Sequence, residues 1–205
     1  MELEELKSAW AQYDKKLTQN LKLNEELLRK INLEKSKKEM NTPLFYEIIS
    51  VVAGVIFILF IASATIKYSY ELKFLLPGII TSIIVAMWVY NSVSKISLLT
   101  NVDYYYSPIV ELQKSINTFK LRYQKYKKFE LYSIPAFTIA AFPILGIALR
   151  NFDIYEYPIR FIVGIVVTLI LGYPGQIWLY KNLYDKKIKN VTNFLEELSK
   201  FEQEE

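Results

Sequence analysis

Four stretches of the chain carry no charged residue and alternate with segments rich in charge. They cover residues 48–66, 74–94, 131–149 and 161–180. A helix rises about 1.5 Å per residue, so about 20 apolar residues cross a hydrocarbon core of about 30 Å. A helix of a soluble protein keeps a polar outer face, whereas residues 51–61 are apolar on every side. The pattern predicts an all-α polytopic membrane protein with four transmembrane helices.

The segment 1–43 predicts a long amphipathic helix. Its seam positions recur at alternating spacings of three and four residues, which is the heptad spacing of a coiled coil. The seam consists of Leu3, Leu6, Trp10, Tyr13, Leu17, Asn20, Asn24, Leu27 and Ile31, and Leu21, Leu23 and Leu28 widen it. We expect Thr42-Pro43 to end this helix just before the first span.

Two more amphipathic helices are predicted, one in the connector 95–130 and one in the tail 181–205. The connector places Ile109, Leu112, Ile116, Phe119, Tyr123 and Tyr126 on one face, and the tail does the same with Tyr184, Ile188, Val191, Leu195 and Leu198. An apolar face needs a cover. We expect the three helices to cover one another in a small bundle. The alternatives are homodimerisation through the first helix and capture of a separate protein.

These elements divide the chain into five segments. The segments are the N-terminal heptad helix 1–43, a transmembrane hairpin 44–94, the connector helix 95–130, a second hairpin 131–180 and the C-terminal helix 181–205. Trp88-Val89-Tyr90 aligns with Trp178-Leu179-Tyr180 at an offset of 90 residues. This match indicates a parallel two-span repeat, unlike the inverted repeats of many secondary transporters.

The positive charges predict the orientation of the chain. Of the 25 Lys and Arg residues, 21 lie in the segments 1–43, 95–130 and 181–205, and four lie in the two short loops. Lys and Arg are enriched on the cytosolic side of membrane proteins. We therefore expect both termini and the connector to be cytosolic, so that all three amphipathic helices are cytosolic.

The composition disfavours most catalytic and metal chemistry. The chain has no His and no Cys, which excludes disulfides, thiolate nucleophiles and Cys/His zinc sites. It has no Walker-type loop and no Gly-x-Ser-x-Gly motif. The basic cluster 120–128 comes without a nucleic-acid recognition fold. We expect a non-enzymatic protein that sits in a lipid bilayer and uses no cofactor, metal, nucleic acid or evident small-molecule substrate.

The opening sequence Met1-Glu2-Leu3-Glu4-Glu5-Leu6-Lys7-Ser8-Ala9-Trp10, with Leu17, Leu21, Asn24 and Leu27 after it, resembles a group of small bacterial inner-membrane proteins. Their genes often lie beside extracytoplasmic-function sigma factors, and they are regarded as anti-sigma-like. The resemblance implies a cytosolic N-terminal helix that sequesters a sigma factor at the bacterial inner membrane. The zinc-containing anti-sigma domain is absent, because it needs His and Cys ligands.

The predicted function is therefore that of a membrane-bound regulator or scaffold acting through its cytosolic helices. The alternative is a transporter or channel component, although the spans carry no charge apart from Glu47 at the inner edge of the first. The candidate partner-binding residues are Leu3, Leu6, Trp10, Tyr13 and Leu17.

Overall fold

A computed structural model describes the backbone of residues 3–104 and 107–203, and the side chains of these ranges except residues 3–6, 8, 9 and 201–203. The helices are α1 (Leu3–Lys67), α2 (Leu72–Thr100), α3 (Ile109–Arg150), α4 (Pro158–Tyr180) and α5 (Lys186–Gln203). A 3-10 turn (Ile154–Glu156) precedes α4, and a π-helical segment (Lys181–Asp185) joins α4 to α5. The described part of the chain contains no strand. Four of its helical stretches are long and apolar enough to cross a membrane. The predicted all-α class is confirmed, and the number of these stretches agrees with the four predicted transmembrane helices.

The helices form two antiparallel hairpins whose short connections meet at one end of the bundle. We call this end the loop end, and the opposite end, where Glu47, Lys95 and Glu130 lie, the basal end. At the loop end, the hydroxyl of Tyr68 donates to Oδ1 of Asn151 at 3.1 Å, and Lys73 pairs with Asp153. The two hairpins are thus joined at this end by side-chain contacts. A duplication origin for the hairpins stays a prediction.

The prediction that Thr42-Pro43 ends the first helix is wrong. Helix α1 continues through Pro43 and reaches Lys67, so the N-terminal helix and the first span are one element. Helix α3 likewise includes both the connector stripe and the third span. Proline removes one backbone hydrogen bond from a helix. Pro43 is buried among neighbouring elements, and packing of this kind is what lets a helix keep its course past a proline.

The largest core lies at the basal end, where α3 and α5 pack against each other and against the segment 33–44 of α1. Its buried members include Leu33, Met40, Leu112, Ile116, Phe119, Tyr123, Ile188, Val191 and Leu195. A smaller core at the loop end contains Ile61, Tyr68, Phe74 and Ile144. The predicted mutual cover therefore exists for the apolar faces of α3 and α5 and for the part of α1 that begins at Leu33.

The spans pack most closely where α1 meets α2. A Cβ atom added to Gly78 would lie 2.1 Å from Oγ1 and 2.9 Å from Cβ of Thr65. Glycine at this position lets the two backbones approach, as small residues do at helix contacts in membranes. Farther toward the basal end, the indole nitrogen of Trp88 donates to the hydroxyl of Ser133 at 2.8 Å and connects α2 to α3.

Candidate functional site

The N-terminal part of α1 is exposed to solvent along its described length. Every residue from 10 to 31 is exposed, and burial begins at Leu33. Twenty-two residues of helix extend about 33 Å. Three candidate partner-binding residues lie on this projection: Trp10 is 69% exposed, Tyr13 67% and Leu17 47%. Leu3 and Leu6 lie outside the described side chains.

The exposed residues include an apolar stripe, interrupted by Asn20 and Asn24, which we call the α1 stripe. It consists of Trp10, Tyr13, Leu17, Leu21, Leu23, Leu27, Leu28 and Ile31. Large contiguous apolar patches on a protein surface mark interaction sites. The α1 stripe belongs to the same helix as the first span, so anything bound to it would be held at a definite distance from the membrane.

A second site, which we call the basal cluster, lies where the spans end. The ammonium group of Lys95, on α2, lies 2.8 Å from a carboxylate oxygen of Glu47 on α1 and 3.0 Å from one of Glu130 on α3. The side chains of Lys95 and Glu47 are 3% and 2% exposed, and that of Glu130 is 11% exposed. Two carboxylates thus share one buried cation.

Two tyrosines complete the basal cluster. The hydroxyl of Tyr184 donates to Glu47, and the hydroxyl of Tyr180 donates to Glu130. The Tyr184 ring lies 5.7 Å from the Lys95 nitrogen, within the range of a cation–π contact. A buried charge is tolerated when it is paired and hydrogen-bonded. The cluster satisfies this condition with groups drawn from α1, α2, α3, α4 and the π-helical segment.

The π-helical segment Lys181–Asp185 orients this part of the site. Tyr180 precedes it, and Tyr184 and Asp185 belong to it. The ring of Tyr123 stacks on that of Tyr184 with centroids 4.9 Å apart, and its hydroxyl donates to Asp185 at 3.1 Å. Asp185 also pairs with Lys127 at 2.6 Å. Single π-helical turns inside α-helices frequently occur at functional sites, and this one brings both tyrosine hydroxyls to the carboxylates.

A further polar contact joins α1 to α5 on the side of the basal cluster that faces away from the apolar stretches. The carboxylate of Glu39 accepts a hydrogen bond from the side chain of Asn190 at 3.0 Å and pairs with Lys187 at 2.5 Å. Burial acts to raise the pKa of Glu39, but the contacts with Lys187 and Asn190 outweigh it and hold this pKa below its usual value.

Sequence reasoning singled out the α1 stripe and missed the basal cluster. The cluster nevertheless leaves a signal in the sequence. Glu47 comes directly before the first charge-free stretch, Lys95 directly after the second, and Glu130 directly before the third. In a protein whose spans alternate in direction, these three positions share one end of the bundle. The alternating sign of their charges was the signal that they pair.

Comparison with family models, with curated proteins and with solved structures found no match to this chain.

Proposed function

We propose that this protein is a non-enzymatic regulator or scaffold that holds a cytosolic protein on the α1 stripe. The observation that carries the proposal is the projection of residues 10–31, which presents Trp10, Tyr13 and Leu17 to solvent at 47% exposure or more. Tryptophan and tyrosine are enriched among the residues that dominate binding energy at protein interfaces. The partner presents an apolar groove wide enough to cover the stripe.

A different protein fits the α1 stripe better than a second copy does. In a parallel coiled coil, each seam residue faces its own copy. Asn20 and Asn24 would then form two polar layers in succession, whereas one buried asparagine already lowers stability. Leu21 and Leu23 lie outside the seam, are 55% and 58% exposed, and would stay partly uncovered. A broader groove on a separate protein covers these leucines and can place hydrogen-bonding groups opposite Asn20 and Asn24, which lie between them on the helix face.

The membrane and the orientation form part of the proposal. The basal end faces the cytosol of a bacterium and the four spans cross its inner membrane, because 21 of 25 Lys and Arg residues lie at the basal end or beyond it. Cysteine labelling tests this directly in a chain without native cysteine. Ser69→Cys and Asn151→Cys, both exposed at the loop end, should react with an impermeant reagent from outside. Asn117→Cys should react only after the membrane is opened.

Cross-linking in intact membranes tests the partner. A photoreactive residue at position 10 or 17 should yield one cross-linked cytosolic protein. The control is position 15, which lies on the opposite face of the same helix and is also exposed. The resemblance of residues 1–27 implies a sigma factor as the captured protein. Cross-links to a second copy of the chain, or equal yields from positions 10 and 15, would contradict the proposal.

The variant Trp10→Ala tests the energetics of capture. Loss of an interface tryptophan commonly costs about 2 kcal/mol or more, which corresponds to about 30-fold weaker binding. Because Trp10 is 69% exposed, the thermal stability of the isolated protein in detergent should not change. The control Lys15→Ala should leave both quantities unchanged. A fall in stability without a loss of binding would show that Trp10 belongs to the fold rather than to the interface.

A second candidate function, that of a transporter or channel component, is favoured by the basal cluster. Ionisable residues buried at membrane depth commonly mark ion or substrate pathways. Reconstituted protein would then carry a current under a proton or cation gradient, and the double variant Glu47→Gln, Glu130→Gln would abolish it. A wild-type protein that carries no current, or a current that survives in the variant, would count against this function.

A further inference from the structure

A groove between α2 and α3 runs from the middle of the second span to the basal end. Its volume is about 510 Å³, and its walls include Ile83, Ala86, Met87 and Phe129, with Asn91 and Lys125 toward the basal end. The residues on its rim face away from the bundle: Ile83 is 55% exposed and Met87 45%. In a membrane, this groove opens onto lipid.

One polar group in the groove lacks a partner. The side chain of Asn91 is 6% exposed, and its amide nitrogen is buried and donates no hydrogen bond to any described residue. A buried donor without an acceptor is unfavourable. Asn91 lies four residues from Lys95 along α2, about 6 Å deeper in the membrane than the basal cluster.

The basal mouth of the groove is positively charged. Lys125 is exposed and forms no ion pair within the described residues. Arg122 and Lys128, each three residues away from it on α3, are also exposed and extend the positive charge along one helix face. Lys125 lies five residues from Glu130 and therefore about 7.5 Å to the basal side of the cluster, and it lines the same groove as Asn91.

We propose that this groove binds one anionic phospholipid. An acyl chain lies along Ile83 and Met87. The eight residues from Ile83 to Asn91 provide about 12 Å of apolar wall. A rotation of the Asn91 side chain toward the groove lets an ester carbonyl of the lipid accept the hydrogen bond that the buried amide nitrogen otherwise lacks. The lipid phosphate pairs with Lys125. The charge of the mouth selects an anionic lipid over a zwitterionic one.

Native mass spectrometry on the detergent-solubilised full chain tests the proposal. Phosphatidylglycerol and phosphatidylcholine with identical acyl chains are added in equal amounts. We expect one phosphatidylglycerol molecule to be retained at least fivefold more often than phosphatidylcholine. In Lys125→Gln this preference should fall below twofold. The control Lys114→Gln removes an equally exposed lysine from the same helix, outside the groove, and should keep the full preference.

The variant Asn91→Leu separates the hydrogen bond from the charge. It preserves the approximate shape of the side chain and removes the donor, so retention of both lipids should fall at least threefold while the preference between them persists. Equal retention of both lipids by the wild type, or an unchanged preference in Lys125→Gln, would overturn the proposal. If Asn91→Leu lowers the thermal stability of the protein, the test rests on the lipid preferences of Lys125→Gln and its control Lys114→Gln.

Discussion

The apolar stripes of α1 and α3 follow the same spacing and have opposite surroundings. On α3, Ile109, Leu112, Ile116, Phe119 and Tyr123 are each 2% exposed or less, whereas on α1, Trp10, Tyr13, Leu17, Leu27 and Ile31 are each 45% exposed or more. Apolar residues at alternating spacings of three and four thus predict that a helix has an apolar face. The spacing does not predict whether other helices of the same chain bury that face.

The lengths of the helices explain the difference. Fourteen residues separate Glu47 from Leu33 on α1, and fourteen separate Tyr184 from Leu198 along the antiparallel tail. Glu47 contacts Tyr184, and Leu33 and Leu198 are the buried residues at the far end of the same core. Among the described side chains, Leu198 is the last buried residue of α5, and Leu33 is the first buried residue of α1. The residues from 32 back to 10 extend about 35 Å farther.

Of the changes considered, disruption of the basal cluster should lower the stability of the buried helix contacts the most. Lys95→Met leaves two buried carboxylates without their cation, and removal of one partner from a buried charge network costs about 3–5 kcal/mol. We expect the variant to lose this much unfolding free energy in detergent titrated with a denaturing surfactant. The triple variant Glu47→Gln, Lys95→Met, Glu130→Gln carries no buried charge and should recover most of the loss. Wild-type stability in Lys95→Met would contradict the described pairing.

A matched pair of leucines tests the two stripes with one chemical change. Leu112 on α3 is 1% exposed, and Leu17 on α1 is 47% exposed. Leu112→Ala should lower the unfolding free energy by about 2–5 kcal/mol, because a buried leucine leaves a cavity. Leu17→Ala should change it by less than about 0.5 kcal/mol while weakening partner capture. Equal losses in the two variants would mean that the α1 stripe is also covered by its own chain.

A pair of glycines extends the comparison into the spans. Gly78→Ala forces a methyl group against Thr65 and should cost about 1–3 kcal/mol, since neither backbone can withdraw without loosening the contact of α1 with α2. Gly172 has nothing within 4 Å of an added Cβ. Gly172→Ala should leave stability unchanged or raise it by up to about 1 kcal/mol. Thermal unfolding of both variants in one detergent gives the measurement.

The weakest effect concerns the salt bridge between Glu39 and Lys187. Because the pKa of Glu39 is lowered in the folded protein, the pair stabilises the fold at pH values above the usual pKa of the carboxyl group. This contribution is lost as the pH falls through the lowered pKa. At neutral pH, Glu39→Gln should cost about 0.5–1 kcal/mol, since both side chains are partly exposed. The difference in melting temperature between wild type and variant should shrink as the pH falls through the lowered pKa, and a difference that does not change with pH would show that the charge is not the cause.

The sequence by itself determined the number and position of the stretches that are long and apolar enough to cross a membrane. Backbone inside a hydrocarbon core must form its hydrogen bonds internally. Stretches of 19 to 21 uncharged residues therefore adopt a helix there. It also determined which faces of the remaining helices are apolar, because the period of 3.6 residues converts spacing into a face. Both properties depend on neighbours close in the chain.

Only the tertiary structure decided how these parts meet. Lys95 is 48 residues from Glu47 and 35 from Glu130 in the sequence, and their pairing depends on how α1, α2 and α3 pack. The same holds for Pro43, which local rules place at a helix end and which packing retains inside α1. It holds as well for the two stripes, because the burial of Leu112 and the exposure of Leu17 follow from the relative lengths of three helices. Spacing along one helix contains no information about where the other two end.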